Sequence, residues 1–266
     1  MSKKYIFDLG SYDCSEGLMF ALLNPDHIIY CFEANPYQCK IIKKNIKIIE
    51  SKYKKKINNL NVLNVIVGNK NLKKCLFYIS ENPTVSSLYN FKKNVFKNWP
   101  GFQIHFKHKK KIKIEQIKLS SFCDNYQINN ISYIHSDIQG NDLNAFIGLA
   151  GYIYKVKSCK LEISLNRNSS IYQKEKTYKD CINFFAKKKF HVDKVKIIPR
   201  TFRNQMDIFL KSNKFFDNNI SFDYKFSNYL QKIFLNKNTF IDHYINFFLY
   251  HGILFLKKFD IYWKRH

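Results

Sequence analysis

The sequence predicts an α/β domain built on a mostly parallel sheet with helices on both faces. Three observations carry this expectation. Short apolar runs near the N-terminus end in an acid, as buried parallel strands do on meeting a turn. Helix-length stretches with apolar residues on one face separate those runs. The strand–helix alternation breaks off in the middle of the chain and then resumes, and such alternation implies right-handed crossovers within one sheet.

Taken in order, Tyr5–Leu9 is the first strand and meets Gly10, and Ser15–Leu23 has helical character. His27–Phe32 is the second strand, ending at Glu33. Pro36 suits a first helical turn, so the next helix runs from Tyr37 to about Lys54, with Ile41, Ile42, Ile46 and Ile49 on its apolar face. Leu60–Val67 reads as one further strand. Lys74–Ser80 and Lys111–Leu119 read as antiparallel strands flanking an irregular, Lys-rich insertion, residues 81–110. Strands at Ile131–Ser136 and Ser158–Ser164 alternate with helices at Asp142–Leu149 and Tyr178–Lys188. Phe190–Val195 and Met206–Leu210 form a closing pair. Residues 1–211 thus make one domain, and 212–266 a basic, aromatic helical appendage with runs near Tyr229–Leu235 and Phe240–Leu256.

The chain has 266 residues, 45% of them apolar, enough for a sizeable core. Its 45 Lys and Arg against 20 Asp and Glu give a net charge of +25, which ordinarily suggests an anionic partner. Only Arg167, Arg200, Arg203 and Arg265 are arginines, however. Abundant Lys, Asn and Ile are what A/T-rich codons encode, so composition accounts for much of the charge. Scarce arginine also disfavours specific base readout. The seven cysteines form no CxxC pair and no zinc spacing, which predicts reduced thiols, no metal and a cytoplasmic protein. No signal peptide precedes the first strand, and no apolar run is long enough to span a membrane.

Two segments carry chemistry. The first is Asp8-Leu9-Gly10-Ser11-Tyr12-Asp13-Cys14, followed by Glu33 at the end of the second strand. In an open parallel sheet, ligands bind outside the carboxyl ends of the strands. Glycine allows a sharp turn and a close approach there. An acid about 20 residues further on suits ribose hydroxyls. The positions after Gly10 do not complete GxGxxG, so a nucleoside without a pyrophosphate fits better than NAD. S-adenosyl-L-methionine is the common one, and Asp8 and Asp13 suit its cationic amino end. A plain strand–turn–helix with two exposed acids is the alternative. The second segment is His135-Ser136-Asp137-Ile138-Gln139-Gly140-Asn141-Asp142. Asp137 falls at the same sheet edge, and Asn141 or Asp142 can cap the next helix.

Together these segments resemble the FkbM-type methyltransferases, a class I family dependent on S-adenosyl-L-methionine. The family's D-x-G-A-N-x-G loop is matched by Asp8–Cys14 and its E-P-N-P by Glu33-Ala34-Asn35-Pro36. Val65–Asn69, Ser86-Ser87-Leu88 and Lys118–Cys123 follow in family order, and His135–Asp142 matches K-I-D-V-E/Q-G-A-E. The likeness runs from about Tyr5 to Lys211. Cys14 departs from the pattern, standing where the second loop glycine belongs, and Ser136 replaces a lysine.

The resemblance implies a class I fold with a seven-stranded sheet and a reversed final hairpin. It places Asp8, Gly10, Ser11 and Asp13 around the carboxypropyl end of S-adenosyl-L-methionine, Glu33 on the ribose, and Asn35 and Val67 near the adenosine. It puts Asp137 at the methyl-transfer edge, where Asp137 and His135 are the candidate bases on one strand face. His135 reads equally as a core histidine. His105 and His108 are expected as solvated loop residues. The implied reaction is methylation of a sugar or glycan hydroxyl. A catalytically weakened glycan- or cofactor-binding module and a nucleic-acid methyltransferase are the alternatives. Phe240–Leu256 and its flanking lysines suit either a peripheral helix on an anionic membrane or one packed on the domain.

Overall fold

The computed structural model of the chain describes residues 3–99, 105–198, 204–215, 220 and 223–234. In chain order the elements are β1 (Lys4–Leu9), α1 (Ser15–Leu23), β2 (His27–Phe32), α2 (Pro36–Tyr53), β3 (Leu60–Leu63), β4 (Ile66–Gly68) and β5 (Leu72–Ser80). Then come α3 (Val95–Asn98), β6 (His108–Lys118), α4 (Leu119–Asn125), β7 (Ile131–Ser136), α5 (Asp142–Ile147) and β8 (Val156–Ser164). The last are α6 (Tyr178–Lys187), β9 (Phe190–Ile197), β10 (Gln205–Ser212) and α7 (Tyr224–Phe234).

Seven strands form one sheet in the order β3-β2-β1-β7-β8-β10-β9, with β10 antiparallel to both neighbours. This is the expected class I arrangement with its reversed final hairpin. The chain first builds outward from β1 through β2 to β3, then returns to β7 on the other side. The switch point therefore lies between β1 and β7. Alternation along the strands sends Ile6, Ile29 and Tyr133 to one face, under α1 and α2. Phe7, Leu9, Ile134 and Leu161 go to the other, under α4, α5 and α6. Each fully buried Ile, Leu or Phe of these two layers contributes roughly 1.5–3 kcal/mol.

Several expectations need correction. The strand expected over Leu60–Val67 is two strands. β3 stays in the main sheet, while β4 leaves it to pair with β6 in a three-stranded sheet, β4-β6-β5. Asn64 makes the break: its Nδ2 donates to the carbonyl oxygens of Glu33 and Ala34 at 2.9 and 3.1 Å, so the chain bends there. On α2, capped by Asn35 with Pro36 in its first turn, Ile42 and Ile49 are buried but Ile41 is 43% exposed. A helix advances about 100° per residue, and Ile41 falls outside the packed stripe.

The insertion also has a core of its own. Phe91, Val95, Trp99 and Phe106 pack with Ile171 and Tyr172 from the segment after β8. His105 and His108 pack beside this layer and are half-buried rather than free in solvent. His108 stacks on Phe91 with centroids 4.5 Å apart, and His105 Nδ1 lies 3.1 Å from Asn82 Nδ2. Burial lowers the pKa of both. In the stretch assigned to the appendage, α7 docks on α1, with Leu230 fully buried and Tyr229 Oη accepting from Lys52 Nζ at 2.8 Å. Phe240–Leu256 lies outside the described residues.

Candidate active site

The carboxyl ends of β1, β2 and β7 meet at the switch point and open a cleft. Gly10 and Tyr12 line it after β1, Glu33 after β2, Val67 on β4, and Asp137, Gln139 and Asn141 after β7. The inner face of β5 contributes Phe77, and Thr84 and Ser86 follow from the insertion. Among the described residues, no Lys, Arg or His lines this cleft, in a chain of net charge +25.

Gly10 has φ +83°, and a Cβ there would stand 2.0 Å from the Asp137 carbonyl oxygen. Glycine is thus required for the two cleft loops to meet as well as for the turn itself. Asp137 N–H donates to the Leu9 carbonyl at 2.9 Å and fixes their relation. Tyr12 and Cys14 are also left-handed, at φ 45° and 68°. Cys14, the residue that departs from the motif, is fully buried and stands immediately before α1 as its N-cap.

Glu33 is buried, and each of its oxygens accepts one backbone N–H: Oε2 from Tyr12 at 2.9 Å and Oε1 from Asn35 at 2.7 Å. Burial pushes its carboxyl up to about 7, although these two amides favour the charged form. A carboxylate has about four lone-pair sites, so each oxygen keeps capacity for a ligand hydroxyl.

Asp137 Oδ1 accepts from Gln139 Nε2 at 2.6 Å, and Gln139 Oε1 accepts from Tyr172 Oη at 2.9 Å. Gln139 sits at φ 53°, so the backbone is strained where its side chain ties Asp137 to the layer over the cleft. Burial raises the Asp137 carboxyl, with Lys160 and His135 pulling against it. Asp142 Oδ1 accepts from Ser136 Oγ at 2.6 Å and from Ile138 N at 3.2 Å. Burial, and next the Asp137 charge, push Asp142 up to about 7.

Of the residues expected at the site, the structure brings Gly10, Glu33, Val67 and Asp137 to the cleft. The others stand behind its wall. Asp8 is fully buried, and its Oδ1 lies 2.7 Å from His135 Nδ1. Ser11 Oγ donates to the Asp8 carbonyl at 3.0 Å. Asp13 Oδ1 accepts from Ser15 N at 2.9 Å, and burial raises its pKa. Asn35 spends its side chain accepting from Tyr37 N at 3.0 Å, capping α2. His135 is 5% exposed, and its Nε2 lies 3.5 Å from Lys160 Nζ. Burial and that ammonium oppose its protonation, but the bond to Asp8, the Asp8 charge and the Glu16 charge together prevail and raise its pKa. With both ring nitrogens engaged away from the cleft, His135 is not placed to act on an acceptor. Neither Asn141 nor Asp142 spends its side chain on the expected helix cap. Asn141 Nδ2 instead donates to the Val67 carbonyl at 2.8 Å, and its Oδ1 accepts from Tyr89 Oη at 2.7 Å.

Tyr12, Gln139, Lys160 and Tyr172 are members of the site or its support that sequence reasoning passed over. Gln139 lay inside the motif. Lys160 had no local signal, because only strand register sets it across from His135.

A family model described as Methyltransferase FkbM domain matches residues 8–192. No curated protein matches the chain. Among solved structures, the chain is similar to a methyltransferase FkbM from Methylobacillus flagellatus KT, with 12% identity and a TM-score of 0.48 over 78% of this chain. It spans 43% of that protein's length. Aeropyrum pernix fibrillarin with bound S-adenosyl-L-methionine gives 9% identity and a TM-score of 0.44, covering 78% of this chain and 67% of that one. M. capricolum TrmK in complex with S-adenosyl-homocysteine gives 11% and 0.40, covering 80% and 63%.

Proposed function

Because the chain belongs to the FkbM methyltransferase family, whose methyl donor is S-adenosyl-L-methionine, we propose that it methylates a hydroxyl oxygen of a sugar or glycan. The observation that carries this reading is the cleft's charge. A strongly basic chain lines its cleft with two carboxyl groups and, among the described residues, no basic side chain. That lining suits a sulfonium nucleoside and opposes a pyrophosphate.

The residues present fit the cofactor. Glu33 has lone pairs to spare for ribose hydroxyls, and Phe32, Val67 and Phe77 offer apolar surface beside it. When bound, S-adenosyl-L-methionine supplies an electrophilic methyl group, so positioning of the acceptor provides much of the acceleration. Asp137 is the group for the acceptor's proton. Its carboxyl, raised by burial, is a better base than an ordinary aspartate and can take the proton as the hydroxyl oxygen attacks. Gln139 holds one Asp137 oxygen and so orients the carboxylate. The Thr84 and Ser86 hydroxyls line the cleft as neutral polar groups of the kind a polyhydroxylated acceptor needs.

Calorimetry with S-adenosylhomocysteine tests the cofactor site. Glu33→Ala should cost about 1.5–3 kcal/mol of binding, the worth of hydrogen bonds to a charged group. Equal affinity in variant and wild type removes Glu33 from the ribose. Mass spectrometry of carbohydrate pools incubated with S-adenosyl-L-methionine tests the reaction. Asp137→Asn should abolish a methylated product that wild type forms while leaving cofactor affinity near normal. Failure of wild type to methylate any hydroxylated acceptor favours a binding module.

A further inference from the structure

Lys160 stands on β8 directly across from His135 of β7. It is 9% exposed, and lysines are almost never buried unless paired. Its Nζ lies 3.1 Å from Asp207 Oδ1 on β10 and 3.5 Å from His135 Nε2. His135 in turn meets Asp8 on β1 at 2.7 Å. One carboxylate, Asp207, would be enough to neutralise a buried ammonium. A third aspartate follows: Asp137 lies one residue past β7, its N–H still donating to the Leu9 carbonyl of β1, so the alternation of the strand continues through it and keeps it on the His135 face. Asp142 at the start of α5 is a further acid coupled by charge to Asp137, and the charges of Glu162 and Glu175 reach Tyr172, as that of Asp137 does.

We propose that Lys160 is a positioning residue of the methyl-transfer site, whose ammonium, held between Asp207 and His135 behind the cleft, stabilises Asp137 as a carboxylate. The inference rests on Asp137 taking the acceptor's proton. Burial raises the Asp137 carboxyl, and Asp207 works in the same direction. Lys160 and His135 are the opposing cations. Without Lys160, His135, already bonded to Asp8, would be the remaining cation acting on Asp137, and Asp137 would keep its proton to higher pH.

The test is the titration of Asp137 in the full chain, read by NMR with carboxyl-labelled aspartate, its signal assigned by its loss in Asp137→Asn. Lys160→Met should move the midpoint upward by about one pH unit or more, as expected for removing a nearby opposite charge. Lys160→Arg should stay near wild type. Lys160→Met/Asp207→Asn leaves no orphaned carboxylate at position 207 and serves if the single variant does not fold; its midpoint should still rise. An unmoved midpoint in either folded methionine variant, or an upward shift in the arginine variant, overturns the proposal. Calorimetry with S-adenosylhomocysteine on the wild type separates the two claims. Lack of binding would sink the methyltransferase site and leave the coupling of Lys160 to Asp137 to be judged by the titration.

Discussion

Replacing Asp142 by asparagine should stabilise the protein above neutral pH, and the structure gives the size of the effect. Asp142 is 3% exposed, and burial together with the Asp137 charge lifts its carboxyl from 3.8 to about 7. A group whose pKa is higher in the folded state binds its proton more tightly there. Its contribution is complete below the unfolded value and is lost as pH rises through the folded one. Between pH 5 and pH 8 this single group should withdraw about 2–3 kcal/mol of stability. An asparagine side chain in its place would keep an oxygen to accept from Ser136 Oγ and Ile138 N, but it carries no charge to bury. Urea denaturation from pH 5 to pH 9 measures the difference. The wild type should lose stability with rising pH, since Glu33 and His135 are shifted upward as well. Asp142→Asn should flatten that fall by the stated amount, about 5–10 °C in midpoint temperature for a domain of this size. Parallel curves for the two proteins would refute the argument, because they would mean that Asp142 titrates alike in the folded and unfolded chains.

Other outcomes follow from the same geometry. Binding of S-adenosylhomocysteine should weaken below pH 7, by up to about tenfold per pH unit as Glu33 protonates, and Glu33→Ala should lose that dependence; calorimetry across pH 5.5–8 reads it. Gly10→Ala puts a Cβ 2.0 Å from a backbone oxygen at φ +83°, so denaturation should show a loss of about 3 kcal/mol or more, or no folded protein at all. Leu230→Ala should cost about 2–5 kcal/mol in denaturant unfolding, because that side chain is fully buried between α7 and α1. A cost near zero would make α7 a loosely attached arm.

The sequence by itself determined the sheet and its cofactor edge. Short apolar runs on β1, β2 and β7, ending at Gly10, Glu33 and Asp137, fixed which ends face a ligand, because apolar run length and turn chemistry are local properties. It also carried the family motifs, whose order along the chain survives without any contact being known. Tertiary structure decided the rest. Whether Leu60–Val67 was one strand or two depended on Asn64 reaching back to the end of β2. Which motif residues face the cleft depended on packing: Asp8 and His135 are drawn inward as a buried pair, while Glu33 and Asp137 remain at the opening. Lys160, one lysine among many in the sequence, gains its place from the pairing of β7 with β8. Pairing across a sheet joins residues distant in the chain, and no local pattern encodes which of them will meet.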